Sequence, residues 1–292
     1  MTTQKQIVAI IGFGAAGMHI LNSVINKKLT QSYRFIIIDP ETKCTNDKTW
    51  CFWAENNESI LKDYHNILHY NWDNILVQGA KKRMNTYQYY QINALDFYNF
   101  TKEKLKGFPE IGWIQESVND LTTSGNCYRI ETPTQHILVD YVLDSRLPKH
   151  NSQAETDLKQ SFYGWKIQTP YPIQDSKSIH LMNFDIEQDF GCQFIYFLPD
   201  SDNTALVELT KFGTELLLKD RAEELLESWL DNQFSEYTIM HTEQGVIPMS
   251  QSFDSFENNS SRLIKIGTAG GAVKSSTGYA FYTMYIHAEN IT

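Results

Sequence analysis

Hydrophobic positions along the chain fall into three kinds of run, and each kind predicts a different element. Continuous apolar runs, IVAII (7–11) and FIII (35–38), have no polar face and predict strands buried on both sides of a parallel sheet. A helical period marks NALDFYNFTKEKLKG (93–107), which aligns Ala94, Phe97, Tyr98 and Leu105 and ends near Gly107. The same period marks TELLLKDRAEELLESWLDNQF (214–234), with Leu218, Ala222, Leu225 and Trp229 on one stripe and acids opposite. Its acidic polar face favours packing on a domain over lying in a membrane surface, which calls for Lys and Arg. Strand-like runs fill much of the remainder: around 111–118, 126–131 and 136–143, then YGWKIQT (163–169) and SIHLMNFDI (178–186). QFIYFLP (193–199) and TALVELT (204–210) predict a hairpin. Alternation sends Thr204, Leu206, Glu208 and Thr210 to one side and Ala205, Val207 and Leu209 to the other. Phe194 and Tyr196 are separated from Ile195 and Phe197 in the same way. Glu208 is therefore one carboxylate in an aromatic-flanked hairpin, either on the wet face of an antiparallel sheet or placed there for chemistry.

Two glycine turns interrupt this pattern. IVAIIGFGAAGMHILNSVI (7–25) reads as buried strand, turn and helix, with Gly12, Gly14 and Gly17 in GxGxxG spacing around Ala15 and Ala16. The first glycine permits the tight turn, the second lets a pyrophosphate approach the backbone, and the third lets helix pack on strand. Asp39 closes the next strand about 20 residues on, placed to accept hydrogen bonds from an adenosine ribose. NAD and FAD both use this fingerprint, so it names a dinucleotide and not a reaction. The second turn follows a strand at Leu263 to Ile266. It contains Gly267, Gly270 and Gly271 and leads past Gly278 into a helix expected to start near Ser276 to Tyr279. Two helix N-termini offer two anion sites, an arrangement that suits a flavin dinucleotide.

After Pro40 the βαβ alternation of an NAD dehydrogenase stops, and LPKHNSQAETDLKQS (147–161) resembles a crossing between regions. We expect a nucleotide domain from 1–150 and 260–292 around an inserted, mainly antiparallel domain at 151–259. The length of 292 residues allows one large or two modest domains. A net charge of −10 argues against nucleic acid and against electrostatic docking on anionic lipid. Cys44, Cys51, Cys127 and Cys192 show neither CxxC nor zinc-type spacing, so reduced thiols in a cytosolic protein and no metal are expected. No apolar run reaches the ~18 residues that span a bilayer, and the first strand starts too early to leave room for a targeting peptide.

Taken together, these segments resemble the bacterial lycopene β-cyclases, FAD proteins of the aromatic hydroxylase and geranylgeranyl reductase superfamily. The matching pieces run in order: GFGAAG with Asp39, NDKTWCFW (46–53), VLDSR (142–146), QSFYGWKI (160–167), LMNFDIEQ (181–188), FIYFLPDSDNTALVELT (194–210), TEQGVIPM (242–249) and IGTAGGAVKSSTGYAF (266–281). The resemblance implies an α/β fold, with a Rossmann-like FAD-binding domain of the glutathione reductase or aromatic hydroxylase type around an antiparallel substrate domain. It also implies that the family's C-terminal part is missing here, since the chain stops within the helix after Tyr279.

The family's Phe-Leu-Glu-Glu-Thr-type motif falls on Leu206, Val207, Glu208, Leu209 and Thr210, which makes Glu208 the essential acid and replaces the second acid by Leu209. FAD contacts are implied at Gly12, Gly14, Ala15, Ala16, Gly17, Asp39, Asp144, Gly267, Gly270, Gly271 and Gly278. Thr268 stands where many flavoproteins of the superfamily have Asp. Asp144 and Arg146 lie in a segment near the flavin, with a structural salt bridge as the alternative. The implied chemistry is redox-neutral closure of linear lycopene to β-rings, with FAD reduced by NAD(P)H and Glu208 facing the flavin-side cavity. A substrate that lives in membranes implies peripheral contact with the membrane's inner face. Trp50, Phe52, Trp53, Tyr87, Phe194 and Tyr196 are candidates for a substrate tunnel, or else ordinary core. A monooxygenase or polyprenyl reductase on the same scaffold, or a silent flavin- or carotenoid-binding chain, would share most of these motifs.

Overall fold

The computed structural model describes residues 5–147, 158–189, 191–249 and 261–292. Most of the expected crossing at 147–161, and the expected boundary at 259–260, lie outside the described residues. The chain divides into two compact units, Met1–Asn46 with Ala94–Asn151 and Gln251–Thr292, and Asp47–Asn93 with Ser152–Ser250.

The first unit is built on a five-stranded sheet in the order Leu263–Lys265, Tyr141–Asp144, Gln6–Ile11, Tyr33–Ile38, Gly112–Ile114. Every pairing in it is parallel. Its two faces need different cover, because alternate residues of an apolar strand point opposite ways. Ala9, Ile11, Ile36, Ile38 and Val142 form one core with Ile130 and Val139 of a small antiparallel sheet, made of His136–Val139, Cys127–Glu131 and Asp120–Ser124. The helices Ala15–Asn26, Ala94–Leu105 and Phe281–Ile291 pack on one another. His19 is buried among Phe97, Phe281 and Tyr285, with ring centroids 5.0, 4.5 and 5.8 Å away. Burial pushes its imidazole down to about 3, so it stays neutral in this aromatic layer. Asn22 Nδ2 donates to Thr101 Oγ1 at 2.9 Å, tying the first two helices together.

The second unit is built on a seven-stranded sheet: Thr238–Pro248, Lys159–Gln168, Thr204–Gly213, Cys192–Pro199, Ser178–Asn183, Asn74–Val77, Ala80–Arg83. All neighbours are antiparallel except Ser178–Asn183 with Asn74–Val77. One face is covered by the helix Lys219–Gln233, whose Ala222, Leu225, Leu226, Trp229 and Leu230 bury against Tyr163, Trp165, Ile195, Phe197, Val207 and Leu209. A three-stranded antiparallel sheet, Thr49–Glu55, Tyr87–Asn93 and Tyr70–Trp72, completes the unit.

Several boundaries differ from those expected. Residues 47–93, expected with the nucleotide domain, fold in the second unit because Asn74–Val77 joins its large sheet through Ser178–Asn183. The acidic helix starts at Lys219 and not at 214: Leu218, expected on the apolar stripe, is an extended, exposed cap residue. The last helix starts at Phe281, after a tight turn in which Gly278 N donates to Lys274 O at 2.8 Å. Gly278 has φ +76°, a value that ends helical continuation before it. Strand Asp120–Ser124 was not expected, since DLTTS has almost no apolar signal and lies at a sheet edge.

Candidate functional site

In the first unit the leading glycine turn has little freedom to change. Gly12 has φ +99°, and a Cβ there would lie 1.9 Å from Ser145 Oγ; at Gly17 it would lie 2.1 Å from the Gly12 carbonyl oxygen. Gly14 is the exception, with nothing within 4 Å of a Cβ position. It caps the helix Ala15–Asn26 in an extended conformation, with no side-chain cap and no acid in the first turn. The N–H groups of Ala15, Ala16 and Gly17 thus begin a helix that leaves room and positive partial charge for an anion. Asp39 is buried beside this turn, accepting from Phe13 N at 2.6 Å and Glu41 N at 2.8 Å. A carboxylate has about four acceptor positions, so two backbone donors leave capacity for a ribose hydroxyl.

The second glycine turn lies against the first. A Cβ on Gly267 (φ +63°) would come within 3.0 Å of Ala16 Cβ. Gly270 packs over the Lys265 carbonyl, where a Cβ would lie 2.3 Å from its oxygen, while Gly271 (φ +74°) faces open space. Residues Gly267–Gly270 form a single 3₁₀ turn with Thr268 inside it. Asp144 is 0% exposed and accepts from Arg146 N, Nε and Nη2 at 3.0, 2.9 and 2.9 Å, and from Lys265 Nζ at 2.9 Å. Burial alone would raise its pKa; the hydrogen bonds and charges of Arg146 and Lys265 overcome that and hold it below the usual range. These contacts give Asp144 a bracing role between two sheet strands and the loop after them. The uncapped helix start, the open Gly14 and the adjoining second turn fit a dinucleotide pyrophosphate.

In the second unit, strand register places Tyr196, Glu208, Gly164 and Glu243 in one row across four neighbouring strands. Val207 and Leu209 point into the helix-covered core, so Glu208 points the other way with Leu206 and Thr210. Glu208 retains a little accessible surface, yet protein surrounds it closely enough to push its carboxyl up to about 8. Desolvation is the main cause and the Glu243 carboxylate adds to it, while Thr210 Oγ1, donating at 2.7 Å to Glu208 Oε1, works against both. Glu243, 8% exposed, is raised by burial too, and is opposed by Thr49 Oγ1 donating at 2.8 Å to Oε2 and by His241, Lys48 and Lys166. Gly164 separates the two acids: a Cβ there would lie 3.2 Å from Glu243 Cγ and 3.5 Å from Glu208 Cβ. Cys51, next but one to Thr49 on its strand, has its thiol pushed up by burial, with both glutamates contributing. Lys166 is ion-paired with Asp200, which also meets His69 Nε2 at 3.1 Å.

The aromatic candidates divide. Phe194 and Tyr196 share the Glu208 face, 5.1 Å apart and edge to face. Trp53 follows Thr49 and Cys51 on one side of its strand, 4.6 Å from Tyr89. Trp50 and Phe52 take the other side, and Phe52 stacks on Tyr90 at 5.6 Å. Tyr87 is exposed. Glu243 was not singled out from the sequence: it lies in TEQGVIPM without local distinction, and only pairing through Gly164 sets it beside Glu208.

Solved structures share this fold at low sequence identity. A geranylgeranyl bacteriochlorophyll reductase-like protein from Thermoplasma acidophilum superposes with a TM-score of 0.69 at 11% identity, covering 98% of this chain and 76% of that one. A flavin-dependent halogenase from Xanthomonas campestris gives 0.62 at 9% identity, covering 97% and 70%. The flavin-dependent brominase Bmp2, as a triple mutant, gives 0.60 at 13% identity, covering 97% and 79%. Comparison with curated proteins finds no match. The family model described as lycopene cyclase protein matches residues 8–292, so the chain belongs to the lycopene cyclase family.

Proposed function

We propose that this protein is an FAD-dependent cyclase that closes the ends of linear lycopene, or a related carotenoid, to β-rings. The observation that carries the proposal is the position of Glu208, in one row with Tyr196 and Glu243 on the aromatic-bearing face of the second unit's sheet, where burial and the neighbouring carboxylate push its carboxyl up to about 8. An alkene is a weak base, and an acid protonated at working pH and shielded from water is what its protonation requires. Glu208 gives its proton to a terminal double bond of the polyene, forming a C–H bond and leaving a tertiary cation. The neighbouring double bond attacks the cation to close a six-membered ring, and loss of a ring proton gives the β-ring. One proton enters and one leaves, so no net reductant is consumed. Phe194 and Tyr196 offer ring faces to cationic charge, worth ~0.5–2 kcal/mol where a ring lies within ~6 Å.

FAD would be held by Gly12, Gly14, Ala15, Ala16, Gly17 and Asp39, with the turn at Gly267, Gly270 and Gly271 beside them and Gly278 in the turn that follows; reduced by NAD(P)H, it would supply negative charge that favours a cationic polyene. Asp144 would act at one remove, bracing the sheet under that turn. Collection of substrate calls for contact with a membrane surface. Among the described residues no helix is long and apolar enough to cross a membrane. In cells that accumulate lycopene, the wild-type chain is expected to yield ring-closed pigments. Glu208→Gln is expected to reduce them at least ~100-fold, the low end for a positioned acid. Near-normal cyclisation by that variant would overturn the proposal. The reductase-like protein and the halogenase among the structural relatives favour a second reading, a redox flavoenzyme. Consumption of NAD(P)H in proportion to product would establish it, and redox-neutral turnover would exclude it.

A further inference from the structure

We propose that Glu243 is a positioning residue: standing as a carboxylate across Gly164 from Glu208, it keeps the single proton of the pair on Glu208. The inference rests on the function proposed above and adds to it the group that sets the acid's protonation state.

The geometry carries it first. Glu208 and Glu243 both pair with Gly164, from strands on its two sides, so their side chains leave the sheet on the same face. Glycine is the residue that lets them approach. A Cβ there would fall inside ordinary contact distance of Glu243 Cγ, and Leu206 Cδ1 at 3.3 Å closes the remaining side. Two carboxylates confined in this way cannot both ionise cheaply, so one proton is shared.

The surroundings then decide where the proton resides. Around Glu243 stand the Thr49 hydroxyl, which donates to it, and His241, Lys48 and Lys166, which favour its anion, Lys166 for as long as it keeps its own proton, since burial pushes its ammonium down to about 8. Around Glu208 stand Thr210 as donor, Tyr196 beside it in the row, Leu206 on its own strand, Lys166 diagonally across the strand pair, and the Cys51 thiol, held neutral by burial. Lys166 does not serve Glu208, because its ammonium is ion-paired with Asp200. Environments that push two like groups apart assign their roles: Glu243 is the anion and Glu208 the acid. During turnover the proton leaves Glu208 for the polyene. Repulsion from Glu243 then favours return of a proton, from solvent or from the one that the cyclised cation loses as the ring double bond forms, which restores the starting state with no other co-reactant.

The test is ¹³C NMR titration of glutamate side-chain carboxyls in the full chain, with Glu208→Gln assigning the Glu208 signal. In the wild type the Glu208 signal is expected to show a main step near pH 8 and a smaller inflection as Glu243 titrates. In Glu243→Gln the main step should fall by at least about one pH unit, a tenfold loss of proton affinity. Glu243→Asp should recover part of it. Pigment formation by Glu243→Gln should be depressed at neutral pH and regained towards lower pH. A Glu208 step unmoved in Glu243→Gln, or a single-step wild-type titration, would overturn the inference. A glutamate step near pH 8 is visible in the wild type before any variant is made, Glu208→Gln serves only to assign it, and neither titration depends on cyclisation. A coupled pair in a chain whose Glu208→Gln variant still cyclises would refute the proposed function and leave the pairing intact.

Discussion

A glutamate that holds its proton to about pH 8 costs the fold something at neutral pH. Below the ordinary carboxyl range both folded and unfolded chains carry the proton, and Glu208 imposes no pH-dependent penalty. Between that range and about 8 the unfolded chain releases the proton while the folded one keeps it, so stability falls as pH rises. Above about 8 the penalty is complete and constant. Glu208→Gln keeps the shape and cannot ionise, so it escapes this penalty. Urea unfolding should show the variant gaining on wild type by about 2 kcal/mol between pH 5 and pH 8, a figure discounted for residual exposure and for Glu243. A pH-independent difference between the two proteins would mean that Glu208 titrates as an ordinary surface acid. The face of Glu208 was legible from alternation alone, because side-chain direction in a strand depends only on its neighbours. Glu243 was not, since its meaning comes from pairing between strands about 80 positions apart in sequence, those of Gly164 and Glu243.

At the scale of elements, the strand–turn–helix at the start of the first unit was readable for the opposite reason: most of its constraints are local. Gly17 is fixed by the Gly12 carbonyl, Gly12 by its positive φ as well as by distant Ser145, and Gly14 by the space it leaves. Gly14→Val should therefore separate binding from folding. Its side chain enters open space at a helix cap, so destabilisation should stay under about 1 kcal/mol. FAD retained through purification should drop to about a tenth or less of wild type, because the branched side chain occupies the pyrophosphate approach. Absorbance of the purified proteins at flavin wavelengths measures this, and unchanged stoichiometry would remove the assigned cradle. Helix starts were less legible. The apolar stripe expected from Leu218 continues a helical period beyond the helix itself, which periodicity cannot detect when the extra residue points into solvent.

Across the whole molecule, each unit is discontinuous in the chain, and this sets what can be cut free. A fragment of residues 152–250 carries the acidic helix and the Glu208 hairpin but lacks 47–93, which belongs to the same unit. Without Asn74–Val77, the strand Ser178–Asn183 becomes an unpaired edge, a template for aggregation. That fragment is expected to aggregate or stay unfolded by circular dichroism, whereas 47–93 joined through a flexible linker to 152–250 should fold. Cooperative folding of the shorter fragment alone would show that the 47–93 segment is dispensable to the second unit. This membership was invisible to sequence patterning because a parallel neighbour about 100 residues away leaves no periodic trace. The close seat of Gly267 on Ala16 has a consequence in time. A ribosome adding roughly 5–20 residues per second exposes the first turn within seconds, and then needs about ten seconds to a minute to deliver the second. Until then the edge of Tyr141–Asp144 has no Leu263–Lys265 to pair with. The nascent chain thus carries half a cradle until the strand Leu263–Lys265 and the turn after it have been made, so any ligand that needs both turns waits about 250 residues after the first is made.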